Sequence, residues 1–474
     1  MLIIPAVAKT VTTKLQGYKN AIVKNKNYEN KGSRMNQGSK SGLGEKFLQR
    51  RYGVRLGRRY VVAAASVILM GVLSCSQFNK NDSATAQSSL PPSEFSPSKT
   101  TSSVDEKLVL ANTKFGFKLF SEILKEDKEK NIFVSPSSVG MALTMTYNGA
   151  SGNTQKAMAK ALELEGISLG DIGRAIATLK SSMVNPDPKV QLAIANSLWA
   201  NKNITLKPEF LQQTRQYYDA EVSNLDFQDN KSVNVINQWV NKNTQGKIEK
   251  IIDKISPDQA LFLINAIYFK GKWQTEFDKN QTKMKPFYLA SGKSKEHSMM
   301  SQKGKYKYYE NENFQAISLP YGDNGRMSLY VFLPTKNSNL KIFNQNLNAE
   351  NWQKWMQEFN SREGFIQLPK FQLDYEIQLN KALKALGMNI AFTDKADFSN
   401  MGKKLAISEV KHKTFVEVNE EGTEAAGATS VGVVTLSAPS EQPFRMVVDR
   451  PFFTAIRDNQ TGSLLFMGYI VEPK

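Results

Sequence analysis

The chain has 474 residues, 41% hydrophobic and 22% charged, which supplies apolar material for one large or two ordinary domains and excludes wholesale disorder. Its formal net charge of +18 sits mostly at the front: residues 1–75 carry fourteen Lys and Arg against two acidic residues, leaving 48 basic against 42 acidic in the rest. A folded part so near balance argues against DNA or RNA as a partner.

In chain order, the leader comes first. "RRYGVRLGRRY" supplies Arg50, Arg51, Arg55, Arg58 and Arg59, and "VVAAASVILMGVL" then supplies an apolar run too short for a membrane span of about 20 residues. The order of charge, apolar core and small residues is that of a signal peptide. "VLSC" ends it at Cys75, the one cysteine in the chain, and resembles the lipobox of bacterial lipoproteins, with Cys75 acylated as the first mature residue. A plain signal peptide cut nearby is the competing reading. The residues before Met35 also leave room for a misplaced start codon or a twin-arginine leader. With Cys75 lipidated no thiol remains for disulfides, so the exported fold must rest on its own core. Residues 76–103, rich in Ser, Pro and Thr, read as an extended tether.

The folded domain is expected over 104–474. Leu108, Ala111, Phe115, Leu119 and Ile123 recur at three- and four-residue spacing and predict a helix packed on a core. "NIFVSPSSVGMALTMTYNGA" predicts a short strand, a Ser-Pro turn and a serine-capped helix. "VQLAIANSLWA", "ALFLINAIYFKGKW", "MSLYVFLP" and "FIQLPKF" read as strands; "SVNVINQWVNKNTQGKI" and "IQLNKALKALGM" read as helices. Helices cluster early and strands late, with no fixed-period repeat and no regular βαβ alternation. That order predicts an α+β fold with a large, mainly antiparallel sheet.

Chemistry is sparse. The only histidines are His297 and His412, and HExxH, CxxC, GxxxxGK[ST], GxSxG and GxGxxG are all absent. No metal or other cofactor is expected, and the chain is not expected to be an enzyme. Two readings of His412 stay open, a catalytic triad member and a hydrogen-bonded core residue, because triads are spatial rather than sequential.

"EEGTEAAGATSVGVVTLSAP", Glu420 to Pro439, has another character. As a strand it would present Thr423, Ala425, Gly427, Thr429, Val431, Val433 and Thr435 on one side, all neutral and none bulky. Glu424, Ala426, Ala428, Ser430, Gly432 and Val434 would form the other side, with its one charge at the start. Such a strand can slip between two others without steric or charge penalty, yet has too little bulk to nucleate a core. A flexible Gly/Ala loop is the plain alternative.

"EEGTEAAGAT" resembles the hinge of inhibitory serpins. "NIFVSPSSV", "NQWVNKNTQGKI", "LINAIYFKGKW", "FIQLPKF", "LGM" and "DRPFFTAIRDNQTGSLLFMGYIVEP" resemble serpin segments in serpin order, so the resemblance covers residues 104–474. It implies a central sheet and an exposed reactive loop, about 420–443, offered to a protease as substrate. After acylation the loop inserts as a new strand and carries the attached protease to the far pole, distorting its active site. The partner implied is a serine protease held as a covalent acyl complex by a monomer.

The resemblance also assigns residues. Glu420, Gly422, Thr423, Glu424, Ala425, Ala426, Gly427, Ala428 and Thr429 stand at hinge positions. Ser135, Ser138, Asn265 and His412 stand where serpins hold the sheet closed, so His412 becomes a gate rather than a base. Trp273 matches the tryptophan where the loop first enters the sheet. Counting from the hinge puts the reactive bond between Leu436 and Ser437, which suits a hydrophobic pocket of chymotrypsin-like, cathepsin G-like or some elastase-like proteases and not a trypsin-like one. The segment from Leu436 to "RPFF" at Arg450 is longer than usual, so bonds after Thr435 or Ser437 stay open. A non-inhibitory binding serpin, and a cross-class inhibitor of subtilisin-like or cysteine proteases, are the alternatives. No polyanion-binding stripe stands out. The leader implies export, to the cell envelope as a lipoprotein with a possible membrane anchor or to the extracellular or periplasmic space.

Overall fold

The apolar spacing around Val104 forms helix α1, Thr100–Glu126, and all five marked residues from Leu108 to Ile123 are buried. A computed structural model describes residues 100–127, 129–183, 186–423 and 442–474. The helix starts four residues inside the segment expected to be tether. Strand β1, Ile132–Val134, leads through Ser135 into α2, Pro136–Gly149. Ser135 is the N-cap, its Oγ accepting from the Ser138 amide at 3.4 Å, and Pro136 fits the first helical position because no N–H is needed there. Every residue of α2 is buried, and small side chains dominate it. It packs on α1, on one sheet and on the other, so it forms the middle of the molecule.

Helices α3, Gly152–Ala161, and α4, Leu169–Met183, precede β2, Val190–Asn201. Next come α5, Pro208–Tyr218, β3, Glu221–Leu225, α6, Lys231–Asn243, and β4, Leu261–Lys272. The sequence expected α6 to run on through Ile248. Instead it stops where Gln245 and Gly246 take positive φ and the Gly246 amide bonds back to the Asn241 carbonyl at 2.8 Å. The remaining strands are β5, Lys283–Tyr288, β6, Ser294–Glu310, β7, Phe314–Tyr321, β8, Met327–Pro334, β9, Asn360–Pro369, and β10, Phe371–Gln378. "FIQLPKF", expected as one strand, is therefore the junction of two, broken at Lys370 and belonging to different sheets. "IQLNKALKALGM" is likewise divided: Ile377 and Gln378 end β10, and short helical turns follow, with Gly387 at φ 103°.

After β11, Ile407–Asn419, the chain contributes β12, Gly422–Thr423, β13, Phe444–Val447, β14, Phe452–Asp458, and β15, Leu464–Ile470. The fold is α+β as expected, but with two sheets among the described residues. One orders its strands β1-β15-β14-β8-β7-β6-β9-β13 with β5 beside β6; the other orders β10-β11-β12-β4-β2-β3. Most pairs are antiparallel, while β4–β11, β2–β3 and β9–β13 are parallel. The first sheet is held by an aromatic core in which Phe332 meets Phe343, Trp352, Trp355 and Phe453 at centroid distances of 5.5–5.8 Å. Each such buried ring stabilises by roughly 1.5–3 kcal/mol through lost water contact.

Candidate functional site

The parallel pair β4–β11 is the seam of the second sheet. It is closed from Leu261 opposite Ile407 to Tyr268 opposite Phe415, and His412 lies opposite Asn265 in its middle. The four residues expected to hold a sheet closed meet there. The His412 Nε2 accepts the Ser135 amide at 3.0 Å, and its Nδ1–H donates to Asn265 Oδ1 at 2.5 Å. Asn265 Nδ2 donates to Ser138 Oγ at 2.5 Å and to Asn196 Oδ1. Ser135 Oγ donates to the Leu465 carbonyl at 2.6 Å. His412 is fully buried, and desolvation pushes its pKa down to about 3, against a smaller upward pull from Asn265. The hydrogen-bond geometry excludes the triad reading. The His412 base nitrogen is already occupied by a backbone amide, and the nearby serine oxygen donates elsewhere. Sequence reasoning missed Asn196, yet the signal existed: β2 and β4 are apolar runs in which Asn196 and Asn265 face each other.

At the top of the seam the chain turns through Glu420 and Glu421 and comes back as β12. Gly422 pairs with Asn419 on one side and Lys272 on the other; Thr423 pairs with Val418 and Gly271. Glycine is required at 422, since φ is +145° and an added Cβ would lie 2.1 Å from the Gly271 carbonyl oxygen. Trp273 covers the turn: its amide donates to the Glu421 carbonyl and its Nε1 to the Asn419 carbonyl, both at 2.9 Å. The indole stacks on Tyr321 at 4.4 Å, and the Tyr321 hydroxyl meets Thr423 Oγ1 at 2.7 Å. Burial pushes the Tyr321 phenol far above its ordinary range, so it stays protonated.

Two carboxylates fix the turn. Burial alone would raise Glu420, but Lys370 at 3.0 Å, its own amide and the Thr282 hydroxyl at 2.8 Å hold it below its ordinary value. Glu421 pairs with Lys279, whose ammonium is raised by that hydrogen bond. Behind them, the buried Asp187 carboxylate accepts the amides of Lys189, Asp323 and Asn324 at 2.8–3.0 Å and so fixes the turn that follows Tyr321. Tyr321, Lys370, Thr282, Lys279 and Asp187 carry no motif of their own; only folding brings them around the turn at Glu420 to Thr423.

Of the residues assigned from sequence, Glu420, Gly422, Thr423 and Trp273 meet at the top of the seam, and Ser135, Ser138, Asn265 and His412 at its middle. Glu424 to Thr429, Leu436, Ser437 and Cys75 lie outside the described residues. His297 is half-buried on β6, its Nε2 2.5 Å from the Lys370 carbonyl, and has no part in either cluster. Among the described residues no group of acidic, His or Cys side chains could hold a metal ion.

The geometry leaves one direction open. β12 runs antiparallel to both β4 and β11, which are parallel to each other. A strand continuing from Thr423 would run down the seam and replace one parallel ladder with two antiparallel ones.

The family model described as "Serpin (serine protease inhibitor)" matches residues 110–473. Serpin B8 of Bos taurus is 37% identical over 379 residues, covering 78% of this chain and 100% of that protein. The leukocyte elastase inhibitor of Bos taurus is 36% identical over 383 residues with the same coverage. The native-state structure of the thermophilic serpin tengpin, 34% identical, superposes with a TM-score of 0.72 over 80% of this chain and 96% of its own. With its fold and nearly its whole described length matched in this way, the chain belongs to the serpin family.

Proposed function

We propose that the chain is an irreversible suicide-substrate inhibitor of serine proteases that traps the acyl-enzyme by inserting its reactive loop into the β4–β11 seam. The observation that carries this reading is β12, a strand already started in the seam and aimed down it. Continuing its register puts Thr429 level with both His412 and Asn265, because Thr423 pairs with Val418 and Gly271. The same count puts Val433 beside Leu261 at the foot of β4, so the neutral side found in the sequence fills the whole seam. Leu436 would then lie just beyond the foot, about 43 Å below the level of Thr423, and a protease esterified to it would be carried there. The His412 network would open at its Asn265 bond and admit a threonine hydroxyl in exchange.

Leu436 before the bond favours a chymotrypsin-like or elastase-like target, and relatives named as elastase inhibitors support a protease as the partner. On this reading residues 1–75 export the chain and Cys75 carries a bacterial lipid anchor. Incubating the purified chain with chymotrypsin and with subtilisin tests the mechanism on a denaturing gel. A complex that survives boiling, with release of a peptide beginning at Ser437, is expected. Cleavage near Leu436 that leaves an active protease would identify a substrate or binding protein instead.

A further inference from the structure

One face of β6 carries Lys303, Lys305 and Lys307 at alternate positions, all exposed, while Tyr306 and Tyr308 turn inward. The register lays two further strands beside this row. Lys303 is opposite Phe365 of β9, and Phe365 is opposite Arg445 of β13, whose guanidinium stands 4.5 Å over the ring. Lys305 is opposite Glu363, and Lys307 opposite Ser361. Four cations thus share a patch with one carboxylate, about 13 Å along β6 and about 10 Å across three strands. Like charges so spaced repel each other, so folding stability does not explain the arrangement.

The patch adjoins the reactive loop. The described chain resumes at Gln442, whose carbonyl accepts two hydrogen bonds from Arg362, at 3.2 and 2.9 Å. Phe444 then stacks on Tyr308 at 3.9 Å, and its ring fills the space over Gly364 where no Cβ fits. These contacts fix the distal end of the loop at the Lys305 to Lys307 end of the row. Ser437 is five residues before Gln442, at most about 17 Å of extended chain. A protease of some 230 residues has a radius of gyration of about 17 Å, so one seated on the 436–437 bond reaches over the patch.

We infer that this patch is a docking surface for the target protease, and that the target carries acidic groups on the rim of the cleft that holds the residues after the scissile bond. The inference rests on the inhibitory reading above. Charge complementarity there acts mainly on the association rate and fades with salt.

The test compares chymotrypsin with its surface-succinylated form, the same enzyme with its lysine charges replaced by carboxylates. The full chain is expected to trap the succinylated enzyme faster at low salt, with the advantage shrinking as salt rises. K303E/K305E/K307E is expected to slow that reaction at least tenfold without changing the number of inhibitors consumed per complex. K156E/K160E/K403E, with the same net charge but altered on other exposed sites, is expected to slow it far less. Equal losses in the two triple variants would reduce the effect to net charge and overturn the proposal. An unchanged rate in K303E/K305E/K307E, together with lost binding to dextran sulfate, would overturn it in favour of a polyanion site. Absence of any boiling-stable complex with either enzyme is a different result, which removes the inhibitory reading and the docking surface with it.

Discussion

The hydroxyls of Tyr321 and Thr423 lie 2.7 Å apart although 102 residues separate them. Tyr321 ends a strand of one sheet, and Thr423 is the last described side chain of the strand started in the other. Their contact marks how far β12 extends: Gly422 and Thr423 pair between β4 and β11, and below them β4 and β11 pair with each other. The side chain at 423 is fully buried, and its neighbour there is the neutral Tyr321 hydroxyl, so a charge introduced at this position would be withdrawn from water beside a neutral group.

Thr423→Glu should keep the fold and lose trapping. Burying an unpaired carboxylate there costs on the order of 3–5 kcal/mol, enough to slow insertion by about two to four orders of magnitude. Hydrolysis of the acyl-enzyme then wins. The expected gel shows cleaved chain with little covalent complex; a normal yield of complex would refute the role given to Thr423.

Gly422→Ala should expel the hinge. The added methyl meets the Gly271 carbonyl oxygen at a distance no real Cβ adopts, and the backbone angle is strained for alanine. Loss of the β12 pairs should appear as faster hydrogen exchange at the Gly422 and Thr423 amides. Unchanged protection would mean that the neighbouring backbone yields instead.

His412 predicts an acid-sensitive stability. Its pKa is about 3 in the fold against 6.5 ordinarily, so the unfolded chain takes up a proton that the folded chain refuses. Stability therefore falls as pH drops from 6.5 towards 3, by about 1.4 kcal/mol per unit, or about 2 kcal/mol by pH 5. Glu420, held low by Lys370, adds its own loss only below the ordinary carboxylate range. Urea unfolding of the parent chain and of His412→Gln between pH 7 and 5 should show this slope in the parent alone. Equal slopes would place the titration elsewhere.

Asp187→Ala should lower the melting temperature and loosen the roof of the hinge. Three amides lose their acceptor, at about 1–3 kcal/mol in total where water replaces part of the loss. Glu421→Gln should cost less, under about 1 kcal/mol, because its partner Lys279 is mostly exposed and screened. Thermal unfolding that ranked the two in the opposite order would contradict this assignment of the load.

The sequence by itself determined the α+β class, most element positions and the neutral alternation of residues 423–435, because periodicity and side-chain size are local properties. Motif order also made the seam residues Ser135, Ser138, Asn265 and His412 legible, and Trp273 with them. Asn196 was half visible, a single polar residue in an apolar strand whose partner only the register reveals. The break at Lys370 was decided by sheet membership that no local pattern records, whereas α6 ends at Asn243 on a local signal, Gly246, that the helical periodicity around it masked. Tertiary structure alone joined Lys370 and Thr282 to Glu420, Lys279 to Glu421, Asp187 to the turn after Tyr321, and Arg445 to the lysine row of β6. Hydrogen bonds and ion pairs between residues fifty or more positions apart leave no periodic trace in a chain; they exist only once the two sheets have closed around α2.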